Sequence, residues 1–460
     1  MTYAEFLKTK EIRADATGFE PTGVNPMLFG WQSDIVRWAL KKGKACIFAD
    51  CGLGKTPMQL QWAAQVAEHT GLPVLILAPL AVAAQTQREG IKFGVGVTVC
   101  RSAADVKPGV NITNYEMMEH FDPASFGGVV LDESSILKNA SGKTRRQITD
   151  AFRSTPYKLC CTATPAPNDF MELGTHAEFI GVMTQAEMLS TFFIHDGGDT
   201  SKWRLKGHAV DKFFAWVASW ACCLTSPADL GYPDDGFILP ELRVYEVTVK
   251  SQTIEDADGQ MLLMAPMSQT LNERRAARRD SLEARVSAAA EIANTSDEQV
   301  LAWCDLNAES AALTAAISGA VEVSGSQPAD IKERNMGAFT AGAARALVSK
   351  PSIAGWGMNW QQCHRMIFVG LSDSFEAYYQ AVRRCWRFGQ ANPVDVYIVI
   401  SDAEGCVKDN IERKQRDARK MTAELVKHTR DILSAEIHQT VRMSETYIAT
   451  ERVELPKWIA

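Results

Sequence analysis

From residue 44 to about 162, short apolar runs alternate with amphipathic stretches. Residues 46–49, 74–78, 110–113, 129–131 and 158–161 are strand-length and almost wholly apolar, and helix-length segments separate them. Continuously apolar strands of this kind predict a parallel sheet covered by helices on both faces. A second series, at 300–303, 321–323, 346–349, 366–369 and 394–400, repeats the alternation. The expected fold class is therefore α/β, with two open units.

Between the two series, SPADLGYPDDGFILPEL (226–242) is dense in Pro, Gly and Asp, which break helices and favour turns, so the boundary is placed there. This divides the chain into an N-terminal lobe over 1–230, with an insertion at about 182–225, and a C-terminal lobe over 231–405, with a helical, Arg-rich insertion at about 252–295. A charged, helix-prone tail follows over 406–460; its run KDNIERKQRDARK mixes charge signs and is read as a solvated helix packed on the second unit.

Composition narrows the class without naming a function. At 46% hydrophobic and 22% charged, the 460 residues have ordinary soluble-globular usage, and no apolar run is long enough to cross a membrane. The first thirty residues lack a signal-peptide pattern, so a cytoplasmic protein is expected, with no membrane partner. Eleven cysteines form no C-x-x-C pair, which points to core thiols rather than metal ligands. A net charge of −7 argues against coating nucleic acid by bulk electrostatics but leaves room for a local basic groove.

Chemistry first enters at CIFADCGLGKTPMQLQWA (46–63), a strand-like run, then Gly52, Leu53, Gly54, Lys55 and Thr56, then a helical pattern. Glycines let backbone N–H groups approach phosphate oxygens, the lysine neutralises their charge, and the threonine hydroxyl can hold Mg²⁺. Ala49 stands where the full pattern has its first glycine. Downstream, Asp132 and Glu133 close an apolar strand, where an Asp can hold Mg²⁺ through water and a Glu can deprotonate an attacking water. Thr162-Ala163-Thr164-Pro165 ends another strand. In the second unit Gln380, Arg384 and Arg387 are spaced by 4 and 3, which puts them on one face of a helix. Such arginines can reach a γ-phosphate across a cleft; a salt-bridged helix face uses the same spacing.

In order along the chain, these stretches resemble a superfamily 2 helicase-type ATPase of the Swi/Snf-like branch, in a compact form similar to DEAD/DEAH-box-like helicases encoded by bacteriophages and prophages. LFGWQSDIVRWAL resembles the adenine-reading segment, with Gln32 as its glutamine, and LILAPLAVAAQTQ a strand-contacting motif marked by Pro79 and Gln85. DESSILKN and TATPAPNDFMEL are similar to the next two motifs, the latter through Asn168, Glu172 and Leu173. In the second lobe VSGSQPADIKERNMGAF carries Gly325 and Arg334; SKPSIAGWGMNW carries Gly355, Gly357 and Asn359; and QAVRRCWRFGQ makes Arg387 the arginine finger, with Arg384 beside it.

The resemblance implies two RecA-like P-loop lobes with ATP and Mg²⁺ in the cleft and nucleic acid across both. Gln32, Gly357 and Gln380 would face the nucleotide, Thr56 and Asp132 the magnesium ion. It implies a DNA translocase, with duplex DNA favoured over single strands or RNA, acting as a monomer. A strand-separating helicase and a scaffold with a vestigial ATPase are the alternatives. Three positions depart from the family pattern: Ser135 replaces its usual His, Arg383 its Gly, and Trp386 a small residue or His.

Nucleic-acid contact calls for positive groups and aromatics. Lys202, Trp203, Arg204 and Lys206 supply both, whereas Phe213, Trp216 and Trp220 share a helical face suited to a core. Arg274 and Arg278, one turn apart, suit either phosphate or a solvated face balanced by Glu273, Asp280 and Glu283.

Overall fold

A computed structural model describes residues 13–79, 82–139, 142–166, 169–196, 199–250, 281–354, 358–372, 374–402 and 405–437. The first unit begins with β1 (Lys44–Ala49), β2 (Val74–Ala78), β3 (Val97–Val99), β4 (Val110–Asn114), β5 (Gly128–Asp132) and β6 (Tyr157–Thr162). An antiparallel hairpin follows, β7 (Phe193–Asp196) and β8 (Asp199–Leu205), and then β9 (Ala221–Leu224). Seven of these strands form one parallel sheet in the order β3-β4-β2-β5-β6-β1-β9.

The second unit contains β10 (Leu242–Val249), β11 (Val300–Cys304), β12 (Ala320–Val323), β13 (Ala346–Ser349), β14 (Arg365–Val369) and β15 (Val394–Ser401). They form a parallel sheet in the order β10-β15-β14-β11-β13-β12. Each sheet is covered on both faces by separate apolar clusters, which is why central strands such as β2, β5, β11 and β14 are buried at every position rather than at every second one. Parallel strands all finish at the same edge, so the turns after β1, β5 and β6 are neighbours although they are far apart in sequence.

All ten strands expected from the apolar runs are present. Five strands were not legible in the sequence. β3 has three residues, and β9 follows the Val210–Ala218 helix with only two residues between. β10 is an edge strand, half-buried to exposed along its length, and the β7–β8 pair sits outside both main sheets. Residues 221–224, expected inside an insertion, complete the first sheet against β1. The Leu282–Asn294 helix, expected in the second insertion, packs Val286, Ala289 and Ala293 into the cluster that holds Val300 and Ile367.

The tail corrects a second expectation. It is a helix, Gly405–Ile437, but its buried side chains enter the first unit, not the second: Leu425 and Val426 join one cluster of the first sheet and Leu433 the other. The His428 ring stacks on Phe214 at 4.5 Å, and the Glu436 carboxylate accepts from Trp38 Nε1 at 3.1 Å and pairs with Lys42 at 3.0 Å. Apolar residues one and two turns apart on an otherwise charged helix supply a stripe for this docking. Ala418, nearer the start, still packs against the second unit, so one helix spans both.

Candidate active site

The turn after β1 is shaped for close approach. Gly52 and Gly54 have φ of 90° and 69°, in the region that favours glycine. A Cβ on Gly52 would lie 2.9 Å from the Phe388 nitrogen of the other lobe, and one on Gly54 would run into Gln32 Nε2. Lys55 opens the following helix, and its ammonium donates to the carbonyls of Ala49 (3.0 Å) and Asp50 (3.4 Å). Gln32 donates to the Leu53 carbonyl at 3.1 Å and accepts from the Phe29 amide at 3.1 Å, so its amide braces the loop from the Gly30–Lys42 helix.

At the end of β5, Asp132 is buried and its Oδ1 accepts from Gln59 Nε2 at 2.7 Å. Burial raises its pKa, opposed by that hydrogen bond and the Lys55 charge. Glu133 is the one non-glycine residue with positive φ (53°) among the described residues, a strained conformation of the kind that concentrates at functional sites. Its Oε2 is buried without a partner, and burial pushes its pKa up to about 7 against the pull of Lys55. Oxygen donors at Asp132 and Thr56 on neighbouring turns form the kind of hard-ligand set a divalent cation takes.

The facing wall belongs to the second lobe. The Phe375–Val382 helix ends before the arginines, so Gln380, Arg384 and Arg387 do not share a helical face as expected; the chain turns after Val382. They are nevertheless brought together. Arg384 donates to the Gln380 carbonyl (2.8 Å), to Gln380 Oε1 (2.7 Å) and to the Met358 carbonyl (3.1 Å). Arg387 donates to the same Met358 carbonyl at 3.2 Å, and burial followed by the Arg384 charge pulls its pKa down to about 10, so it stays a cation near neutrality. Gln380 Nε2, Arg387 Nε and Asn359 Oδ1 are buried without partners. Such orphans are rare in native folds and point to a missing ligand.

Two contacts across the cleft were not foreseen. Arg383 pairs with Asp50 at 2.6 Å and donates to the Cys51 carbonyl at 2.8 Å, and the Tyr379 hydroxyl donates to the same Asp50 carboxylate. Glu376 forms an ion pair with Lys138 and accepts from Thr164 Oγ1 at 3.4 Å. The spacing of Glu376, Tyr379 and Arg383, one helical face toward lobe 1, was the signal available in the sequence. Beside these contacts a cavity of about 1320 Å³ opens between the lobes, with Pro79, Gln85, Glu133, Lys332 and Asn359 in its wall. A second, of about 890 Å³, lies between the Asp50–Leu53 turn, Phe388 and the C-terminal helix at Arg419 and Arg430.

The other expected contact residues scatter. Lys206 caps a helix end, donating to the Ser190 and Thr191 carbonyls at 2.8 and 2.9 Å. Trp203 is half-buried, its ring 3.7 Å from that of His195, and Arg204 is exposed on the same strand, whose backbone includes Lys202. Phe213, Trp216 and Trp220 are core, as their spacing implied. Asn168, Arg274, Arg278, Gly355 and Gly357 lie outside the described residues.

Known proteins resemble the chain in sequence and in fold. The SNF2-related domain matches residues 31–193 and the helicase conserved C-terminal domain residues 284–389. In structure the chain is similar to the Sulfolobus solfataricus SWI2/SNF2 ATPase core in complex with dsDNA, at 16% identity and a TM-score of 0.42, over 91% of this chain and 98% of that one. It is also similar to S. cerevisiae Dbp5 bound to RNA and ADP BeF3, at 11% identity and a TM-score of 0.55, over 88% and 93% of the two chains. The latter likeness shows the fold, two RecA-like lobes. No curated protein matches closely enough to count as a relative. Among the described residues no helix is long and apolar enough to cross a membrane. With the two domains in this order over more than half of its length, the chain belongs to the Swi/Snf-like branch of the superfamily 2 helicase-type ATPases, whose members are nucleic-acid-dependent ATP hydrolases.

Proposed function

We propose that the protein is a motor that hydrolyses ATP between its lobes and tracks along duplex DNA. The observation that carries this reading is the distribution of unpartnered buried atoms: Glu133 Oε2 on the first lobe, Gln380 Nε2, Arg387 Nε and Asn359 Oδ1 on the second. A site whose unsatisfied groups come from both lobes is completed only when a ligand bridges them, which ties turnover to lobe closure. The preference for duplex DNA rests on the SNF2-related domain.

In this reading the amides of Gly52 to Gly54 cradle the phosphates, and Lys55 leaves the Ala49 and Asp50 carbonyls to neutralise them. Gln32, which already braces the loop, borders the base. Asp132 and Thr56 would hold Mg²⁺; the buried Asp132 carboxylate and the half-buried Thr56 hydroxyl are oxygen donors that fit it, and when bound it offsets charge on the phosphates. Glu133, ionised, takes the proton of the attacking water. Arg387, with Arg384 packed behind it, meets the charge that builds on the transferring phosphoryl group. Lys202, Trp203, Arg204 and Lys206 on the β8 strand and the turn after it, with Arg274 and Arg278, remain the proposed secondary contacts to nucleic acid. A monomer in the cytoplasm, that of a bacterial host for a phage-encoded chain, completes the proposal.

The test is steady-state ATP hydrolysis by the purified protein alone and with single-stranded DNA, duplex DNA or RNA, with Glu133→Gln as control. Stimulation chiefly by duplex DNA, followed by displacement of a triplex strand, is the expected result. Stimulation by single strands or RNA alone would replace the translocase with an unwinding helicase.

A further inference from the structure

The turn after β5 and the turn after β6 must act together if the phosphate site is to report its state, and among the described residues no hydrogen bond joins Glu133–Lys138 to Thr162–Pro165. Ser135 stands where the resemblance expects a histidine, and among the described residues no hydrogen bond joins it to Thr162 or Thr164. A histidine does reach this turn from elsewhere: His176 Nε2 lies 3.1 Å from Ser134 Oγ. It holds the turn against the Leu173–Ile180 helix, and among the described residues its hydrogen bonds go to Ser134 and the Glu172 carbonyl rather than to the Thr162–Pro165 segment.

Both turns instead meet on one carboxylate of the opposite lobe. Glu376 is 6% exposed and sits in the first turn of the Phe375–Val382 helix, where the helix dipole favours a negative charge. One of its oxygens pairs with Lys138, five residues beyond Glu133, and the other accepts from Thr164 Oγ1. Glu376 and Glu133 also line the same cavity between the lobes, so the carboxylate stands near the proposed base.

We propose that Glu376 is a positioning residue that couples the Asp132-Glu133 turn to the Thr162–Pro165 turn in trans, from the second lobe, so that the two are locked in register only while the lobes are docked. This rests on the ATPase reading above and deepens it. The link that a histidine would make inside one lobe is here made across the cleft. Lobe rotation therefore breaks both ends of it at once, and the strained Glu133 backbone loses its support whenever the cleft opens. Nucleic acid bound across both lobes would restore turnover by holding Glu376 in place.

The experiment compares wild type, Glu376→Gln, Lys138→Glu and the exchanged pair Lys138→Glu/Glu376→Lys in ATP hydrolysis with and without duplex DNA. Glu376→Gln should keep the KM for ATP within a few-fold while kcat in the presence of DNA falls about tenfold or more, the range of a typical coupling between sites. Lys138→Glu should do the same, and the exchanged pair should recover a substantial part of the stimulation. A purely structural role would not give that recovery, and far-UV and thermal profiles of the single variants identify any that fail to fold. If wild type is stimulated and both single variants are stimulated equally, the inference is overturned and the motor reading stands. If the exchanged pair recovers nothing while both single variants are folded and impaired, the paired-charge coupling is overturned. If wild type itself shows no stimulation by any nucleic acid, the motor reading falls and takes the inference with it.

Discussion

The two walls of the cleft are built differently. On the first lobe, the groups of the proposed phosphate and metal site stand at the ends of parallel strands or open the helix that follows, and are braced within that lobe: Lys55 on its own loop carbonyls, Asp132 by Gln59, the loop by Gln32. On the second lobe the equivalent groups stand on a helix and on the irregular turn after it. Arg384 and Arg387 share a single carbonyl, that of Met358, and several polar atoms are left over. A wall braced within its own lobe, with only Glu133 Oε2 of its described site groups left buried without a partner, is suited to hold a ligand in any state of the cleft. A wall with atoms to spare is suited to detect one, and the difference predicts which substitutions impair binding and which impair only turnover.

The largest effect should come from the detecting wall. Arg387→Ala should lower kcat roughly 10³- to 10⁵-fold, the range of arginine fingers, with nucleic-acid binding intact in a filter or anisotropy assay. A near wild-type rate would move the finger to another residue. On the holding wall, Glu133→Gln should lower turnover roughly 10²- to 10⁴-fold, as loss of a general base does, while fluorescent-nucleotide titration shows binding retained. Lys55→Ala should differ from both by losing the binding itself, and if it binds normally the contrast between the walls is wrong.

Smaller effects sharpen the contrast. Arg383→Gly restores the residue the family pattern has and removes the contact with Asp50 and Cys51. The nucleotide-free protein should then open, read as a larger radius of gyration in small-angle scattering; an unchanged radius would mean that the remaining links, Glu376, Tyr379 and the C-terminal helix, keep the lobes docked. The smallest is a stability effect inside the first lobe. Burial holds the His176 pKa down to about 4, whereas in the unfolded chain it returns to the usual 6.5. Below pH 6.5 the unfolded state takes up a proton that the folded state refuses, so stability is lost progressively down to pH 4. The loss is at most roughly 3 kcal/mol. His176→Leu should flatten that part of a denaturant-midpoint profile, and a slope equal to wild type would assign the acid sensitivity to other groups.

What the sequence disclosed follows the same division. Groups at the ends of buried parallel strands were legible because the apolar run announces the strand and the polar residue after it announces the site, as at Ala49 to Thr56 and at Leu131 to Glu133. The second wall was legible in its membership but not its geometry. Helical periodicity extended the Phe375–Val382 helix through Arg387, whereas the chain turns at Arg383, held by that residue's reach to the other lobe. Glu376, Tyr379 and Asp50 passed unnoticed because an ionisable residue on a helix face looks the same whether it meets water or another lobe. The tail's docking was missed for the opposite reason: apolar residues scattered among many charged ones make a weak stripe, yet each of Leu425, Val426 and Leu433 is buried against the first sheet's helices.

That docking makes the first lobe a discontinuous folding unit. Its central sheet is complete once Leu224 has been synthesised, but two of its apolar surfaces stay open until Leu433 emerges, after the whole second lobe. A fragment ending near the boundary at 226–242 would carry every residue of the phosphate loop and still present a greasy groove around Phe214 and Trp38 to the solvent. Folding on the ribosome thus closes the first domain after the second, and the ATPase acquires a finished nucleotide lobe only once the second lobe has been made.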